Sequence, residues 1–189
     1  MDPVFTLQWP EFLLAHHLQR ELPKKKGYSL LIPLSRQEKG VDLAILKKRG
    51  GAHKTVTLQV KASRAYSPRS PKRESTKRFQ HYTWFRQFEV PKDADFILLI
   101  GMYAPDTGRT MRVTGKWYRH CTLLFTSKEM KNFMKSCFTV GGKPDQMFGF
   151  GFDHPKQIFL TRGDSKRRLK DYSRYLLDKR MNLLRKSLR

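Results

Sequence analysis

The sequence predicts an α/β fold with a mixed central sheet flanked by helices, and three patterns carry that prediction. A helical periodicity opens the chain, three strand patterns with hairpin punctuation follow, and an uninterrupted apolar run, Phe96 to Ala104, comes later. The expected order is helix, three antiparallel strands, helix, strand, with a C-terminal extension. At 189 residues the chain can bury one sizeable core but is short for two independent domains. We expect one domain over residues 1–163, with its core at about 10–102, and a basic amphipathic helix over 164–189.

The first helix opens at Trp9-Pro10-Glu11, where proline fits the first turn, and runs to about Leu22, before Pro23. Leu14, Ala15, Leu18 and Leu22 recur at helical spacing, and Glu11 shares their face. Tyr28 to Leu34 reads as a strand, followed by a polar turn. Val41 to Leu46 and Thr55 to Lys61 then flank a basic tip containing Gly50-Gly51, a hairpin signal. Residues Arg64 to Arg78 hold six lysines or arginines, one glutamate and two prolines, with little apolar content to tie them down, so a mobile loop is expected. The aromatic-rich stretch Phe79 to Phe88 is expected as the second helix, and Asp95 to Met102 as a buried strand. Thr126-Ser127-Lys128-Glu129 has capping-box spacing and opens a helix to about Cys137. Gly141 to Phe152 reads as a glycine and phenylalanine loop. From about Ser165 a terminal helix is expected, with Leu169, Tyr172, Leu176, Leu183 and Leu184 on one side and cations on the other.

Charge narrows the function. Lysine and arginine number 39 against 16 acidic residues, a formal net charge of +23 that exceeds what solubility requires. Such a field attracts polyanions, above all nucleic acid, where each neutralised phosphate releases a condensed counterion. The phosphate-binding residues expected are Arg64, Arg69, Lys72, Arg73, Lys77 and Arg78 in the basic loop and Lys166, Arg167 and Arg168 in the tail. The start, Met1-Asp2-Pro3-Val4-Phe5, lacks the pattern of a secretory signal, and the longest apolar run is far below the roughly 20 residues that cross a bilayer. A cytoplasmic protein without a membrane segment is expected. Cys121 and Cys137 lie too far apart for a Cys-x-x-Cys pair, so neither a zinc knuckle nor a disulfide framework is indicated.

The hairpin carries the chemistry. With Gly50-Gly51 as a two-residue turn, facing positions sum to 101, which sets Val41 against Val60, Leu43 against Leu58 and Ile45 against Val56. One face becomes continuously apolar. On the other, Asp42 meets Gln59, and Lys61 stands two residues further along Gln59's side. An ordinary polar outer face would look similar, but a carboxylate, an amide carbonyl and an ammonium together suit Mg²⁺ and a phosphate better. His16 and His17 point to different helix faces, which argues against a shared metal site. Trp84 and Phe85 can stack on a splayed base, yet an aromatic run ahead of a buried strand fits core packing better.

Gly40-Val41-Asp42-Leu43, a hairpin, and Gln59-Val60-Lys61-Ala62-Ser63 resemble the core of PD-(D/E)XK nucleases, in the subset where glutamine replaces the second acidic residue. The resemblance covers about half of the chain. It implies a restriction endonuclease-like core and a metal-dependent endonuclease that hydrolyses DNA phosphodiester bonds. Asp42, Gln59 and Lys61 would be its catalytic residues, with Glu11 added from the first helix; Asp42, Gln59 and Glu11 would hold Mg²⁺ or Mn²⁺. A neutral Gln59 gives the site less negative charge than a carboxylate would. Cutting both strands is compatible with a homodimer. The alternative is a catalytically inactive DNA- or RNA-binding protein on the same fold, which metal-dependent cleavage would separate from the first.

Overall fold

A single 15-residue strand, Ala52–Tyr66, organises the fold by taking part in two sheets. The computed structural model describes residues 9–33, 40–66, 79–103, 119–166 and 168–189. The helices are α1 (Trp9–Glu21), α2 (Ser127–Lys135) and α3 (Leu177–Ser187). The strands are β1 (Tyr28–Leu31), β2 (Leu43–Arg49), β3 (Ala52–Tyr66), β4 (His81–Arg86), β5 (Phe96–Tyr103), β6 (Arg119–Thr126), β7 (Met147–Phe152) and β8 (Phe159–Arg162). Neighbours β1, β2 and β3 are antiparallel; β3 runs parallel to β5, and β5 antiparallel to β6. At its far end β3 pairs through Ala65 and Tyr66 with β4, which continues antiparallel into β7 and β8. Among the described residues the architecture is mixed α/β, a multi-stranded sheet flanked by three helices.

The β2–β3 hairpin has the register read from its turn. Leu43 faces Leu58, Ile45 faces Val56 and Arg49 faces Ala52. Gly50 (φ 55°) and Gly51 (φ 87°) are both left-handed, the backbone that a two-residue hairpin of this twist requires. Alternation then sorts the side chains into two cores. Leu43, Ile45, Val56, Leu58 and Val60 form one with Phe96, Leu98 and Ile100, and α1 and α3 cover it. The opposite face of β5 and β6, with Ile97, Leu99, Leu123 and Phe125, is covered by Phe148, Phe150 and Phe152 of β7 and by α2. Burial on both faces explains why β5 reads as a continuous apolar run.

Three expectations need correction. The second helix over 79–88 is instead strand β4: His81, Thr83 and Phe85 point inward while Trp84 and Arg86 are exposed, a period of two that a helix cannot use. The expected loop over 141–152 contains β7, whose Phe148, Phe150 and Phe152 share the inner face and leave Gly149 and Gly151 outside. The terminal helix begins at Leu177 rather than near Ser165. Before it the chain is extended beside β8, with Leu160 N donating to Lys170 O and Tyr172 N to Ile158 O, and Leu169 is exposed instead of lining an apolar face. The first strand is shorter than expected, ending at Leu31, and Leu34 lies outside the described residues. The capping box is present: Thr126 Oγ1 accepts from Glu129 N at 3.2 Å, and Glu129 accepts from Thr126 N at 2.8 Å. Among the described residues no helix is long and apolar enough to cross a membrane.

Two carboxylates tie these layers together and make stability depend on acid. Arg162 of β8 grips buried Asp145 through two bonds of 3.0 and 2.9 Å, and this holds the Asp145 carboxyl below its ordinary value. Burial pulls Glu129 upward, but bonds from Arg180 of α3 (2.7 and 2.9 Å) and from Thr126 outweigh it, so Glu129 is also depressed. A depressed carboxyl contributes stability that is complete above its unfolded value and is lost as pH falls through its folded value. Urea midpoints should therefore decline below about pH 4. Arg162→Ala should flatten part of that decline while lowering stability at pH 7; an unchanged acid slope would remove Asp145 from the account.

Candidate active site where two strands part

Upstream of Leu43, β2 leaves β3, and Asp42 occupies the point of separation. Its N–H donates to Leu58 O at 2.9 Å, and its Oδ2 accepts from Val60 N at 2.6 Å. The carboxylate thus replaces the ladder partner that β2 no longer supplies. The approach is fixed from outside the hairpin: Gly40 (φ 95°) lies against Pro91, and a Cβ there would come within 2.4 Å of the proline Cβ. Only glycine fits that backbone and that gap.

Since Leu58 and Val60 face the core under α1 and α3, alternation along β3 turns Gln59 and Lys61 to the other face. Gln59 and Lys61 share that face, whereas Asp42 stands at the edge of β3, outside the β2–β3 ladder in which it was expected to face Gln59. Gln59 is only 6% exposed, and its Oε1 is buried without a hydrogen-bond partner among the described residues. An orphaned buried acceptor costs about 1–3 kcal/mol, so this oxygen is suited to a cation or a donor from outside. Lys61 is half-buried, with its Nζ 5.2 Å from the centroid of the Phe88 ring, and among the described residues it forms no ion pair. Its charge is held in place by a ring rather than neutralised by a carboxylate.

The amide oxygen of Gln59 and the Asp42 carboxylate are hard oxygen donors of the kind Mg²⁺ and Mn²⁺ take. They fit such an ion only with water or phosphate oxygens completing the shell. Among the described residues no three His, Cys, Asp or Glu side chains gather as a metal cluster. Glu11 stands on the first turn of α1, half-buried, on the side bearing Leu14, Ala15 and Leu18. That helix packs on the face of Leu58 and Val60.

Of the expected phosphate-binding residues, Arg64 is exposed on β3, not in a loop. Lys166 and Arg168 are exposed before α3, where Asp164 pairs with Arg168 at 3.5 Å and with Lys170 at 3.4 Å. Part of the tail's charge is therefore used internally. Arg69, Lys72, Arg73, Lys77, Arg78 and Arg167 lie outside the described residues. The structural task of Asp42 has no sequence signal, because it depends on where β2 departs from β3. No protein-family model matches this chain, and neither a curated protein nor a solved structure matches it significantly.

Proposed function

We propose that the protein is a metal-dependent endonuclease hydrolysing DNA phosphodiester bonds, built on a restriction endonuclease-like core. The observation that carries this reading is the buried Oε1 of Gln59, unpartnered among the described residues, on the same face of β3 as Lys61 and next to Val60, whose N–H donates to Asp42 Oδ2. The order of the sheet supports it: β1 to β3 are antiparallel, β5 is parallel to β3, and α1 precedes them. It departs from the resemblance in one respect, since the chain between β3 and β5 contains strand β4 and no described helix.

In this reading Asp42 and Gln59 hold Mg²⁺ or Mn²⁺, which when bound supplies Lewis-acid activation of water and offsets phosphate charge. Asp42 is oriented by the Val60 N–H, and Gln59 by its place in β3. Lys61 presents an ammonium to the charge that develops on the phosphate. The net charge of +23 draws the polyanion in. The alternative, a DNA- or RNA-binding protein without catalysis, is favoured by Asp42 already serving Val60 and by the neutrality of Gln59. Incubating the full chain with supercoiled, linear and branched DNA in Mg²⁺, Mn²⁺ or EDTA distinguishes them. Nicking or linearisation in metal alone supports the enzyme; binding without cleavage in either metal selects the alternative.

The tail can be tested by charge rather than by truncation, because Leu177, Met181, Leu184 and Leu188 belong to the core. Replacing Lys166 and Arg168 together by glutamine should lower DNA affinity across sequences and reduce the log–log salt slope by up to about 2. A slope equal to wild type would take this segment out of the phosphate contacts.

A further inference from the structure

We propose that the outer face of the β3–β4–β7–β8 layer is a stacking platform for unpaired bases of single-stranded DNA, centred on Trp84. Where an aromatic run would ordinarily fill a core, β4 divides its rings between two faces: Phe85 is 6% exposed and Trp84 is 40% exposed. Tyr66, at the end of β3, is 50% exposed and stacks on Trp84 with centroids 5.4 Å apart and planes 24° apart. Tyr82 lies on the other side in sequence, 6.2 Å from Trp84 and inclined by 23°. Three nearly parallel rings thus stand together on a surface that water reaches.

The floor is built for them. On β7 the inward phenylalanines alternate with Gly149 and Gly151; a Cβ on Gly149 would lie 2.2 Å from Trp84 Cδ1, and one on Gly151 would lie 2.4 Å from Phe79 Cδ2. Any other residue at Gly149 would lift the indole off the β7 backbone. Glycine weakens a strand, so two on one face mark a place where something must approach the backbone closely.

Charge selects the occupant. By strand alternation Arg64 shares the outer face with Tyr66, and Arg86 shares it with Tyr82 and Trp84. Neither arginine is in an ion pair among the described residues. Partly exposed rings beside guanidinium groups that form no ion pair among the described residues, on a chain of net charge +23, match alternating bases and phosphates. A duplex hides its base faces, so the match is to a single strand. Arg64 and Tyr66 lie on the face of β3 opposite Gln59 and Lys61, which makes the platform a second binding surface. The choice of DNA over RNA rests on the nuclease reading; the stacking does not.

The test is binding of the full chain, in EDTA, to a labelled dT oligomer, a U oligomer of equal length and a duplex. Trp84→Ala should weaken dT binding roughly 5- to 150-fold with an unchanged salt slope, while duplex affinity stays within about twofold. Trp84→Phe, which keeps a ring, should restore most of the loss. Tyr66→Ala provides the same test at an exposed position if Trp84→Ala is misfolded by circular dichroism. Wild-type affinity for dT in the folded alanine variant, or equal losses on dT and duplex, overturns the platform. Tighter binding of the U oligomer than of dT overturns the assignment to DNA. Because EDTA removes the chemistry, an absence of cleavage elsewhere leaves this result intact.

Discussion

Lys61→Ala is expected to bind DNA within about twofold of wild type yet to cut it slower by roughly 10² or more. Lys61 is one of 39 basic residues, and losing it removes about one counterion's worth of phosphate attraction. Its position gives it a different value. The ammonium lies beside Phe88 with no ion-pair partner among the described residues, on the face of β3 that carries the orphaned Gln59 oxygen. In the proposed mechanism a half-buried charge held beside that ring would stabilise phosphate charge that develops at the transition state. Affinity and rate, measured at one salt concentration, separate the two contributions. A variant that cuts as fast as wild type removes Lys61 from the mechanism.

Asp42 should give a two-part result, because its carboxylate has two tasks. Asp42→Asn keeps an oxygen to accept from the Val60 N–H but removes the negative charge that would hold a divalent cation. It should fold with little loss and fail to cut, with partial rescue by raised Mn²⁺. Asp42→Ala also abandons the Val60 N–H where β2 has already left, and should cost about 1–3 kcal/mol in addition. Urea unfolding beside a cleavage assay reads both. Equal stability of the two variants would contradict the structural task, and cleavage by Asp42→Asn at the wild-type rate would contradict the catalytic one.

The hairpin was legible because Gly50-Gly51 pins its register, and a register slip would have turned Leu43, Ile45, Val56 and Leu58 out of the core. Helices α1 and α2 were legible from local signals, Pro10 in one and the Thr126–Glu129 box in the other. What escaped depended on distant partners. Leu169, Tyr172 and Leu176 have helical spacing, but Asp164 holds Arg168 and Lys170, and the chain there lies along β8. The aromatic stretch at β4 is compatible with a short helix until Phe148, Phe150 and Phe152 of β7 supply a sheet for it to join. In the candidate site, the shared face of Gln59 and Lys61 followed from alternation along β3. The departure of β2 did not, since it involves Gly40 packing on Pro91, a residue remote in sequence.

Because one continuous strand serves both sheets, neither layer can be treated as a subdomain with its own melting transition. Residues 58–64 of β3 hold β5, while Ala65 and Tyr66 hold β4. Separating the sheets would open the core that Phe148, Phe150 and Phe152 share with Ile97, Leu99, Leu123 and Phe125. Loosening that begins at β8 can travel only as far as β3 before it becomes global. A partly unfolded form that kept the proposed cleavage face without the aromatic face would leave that shared core open to water, so the two are expected to be lost together.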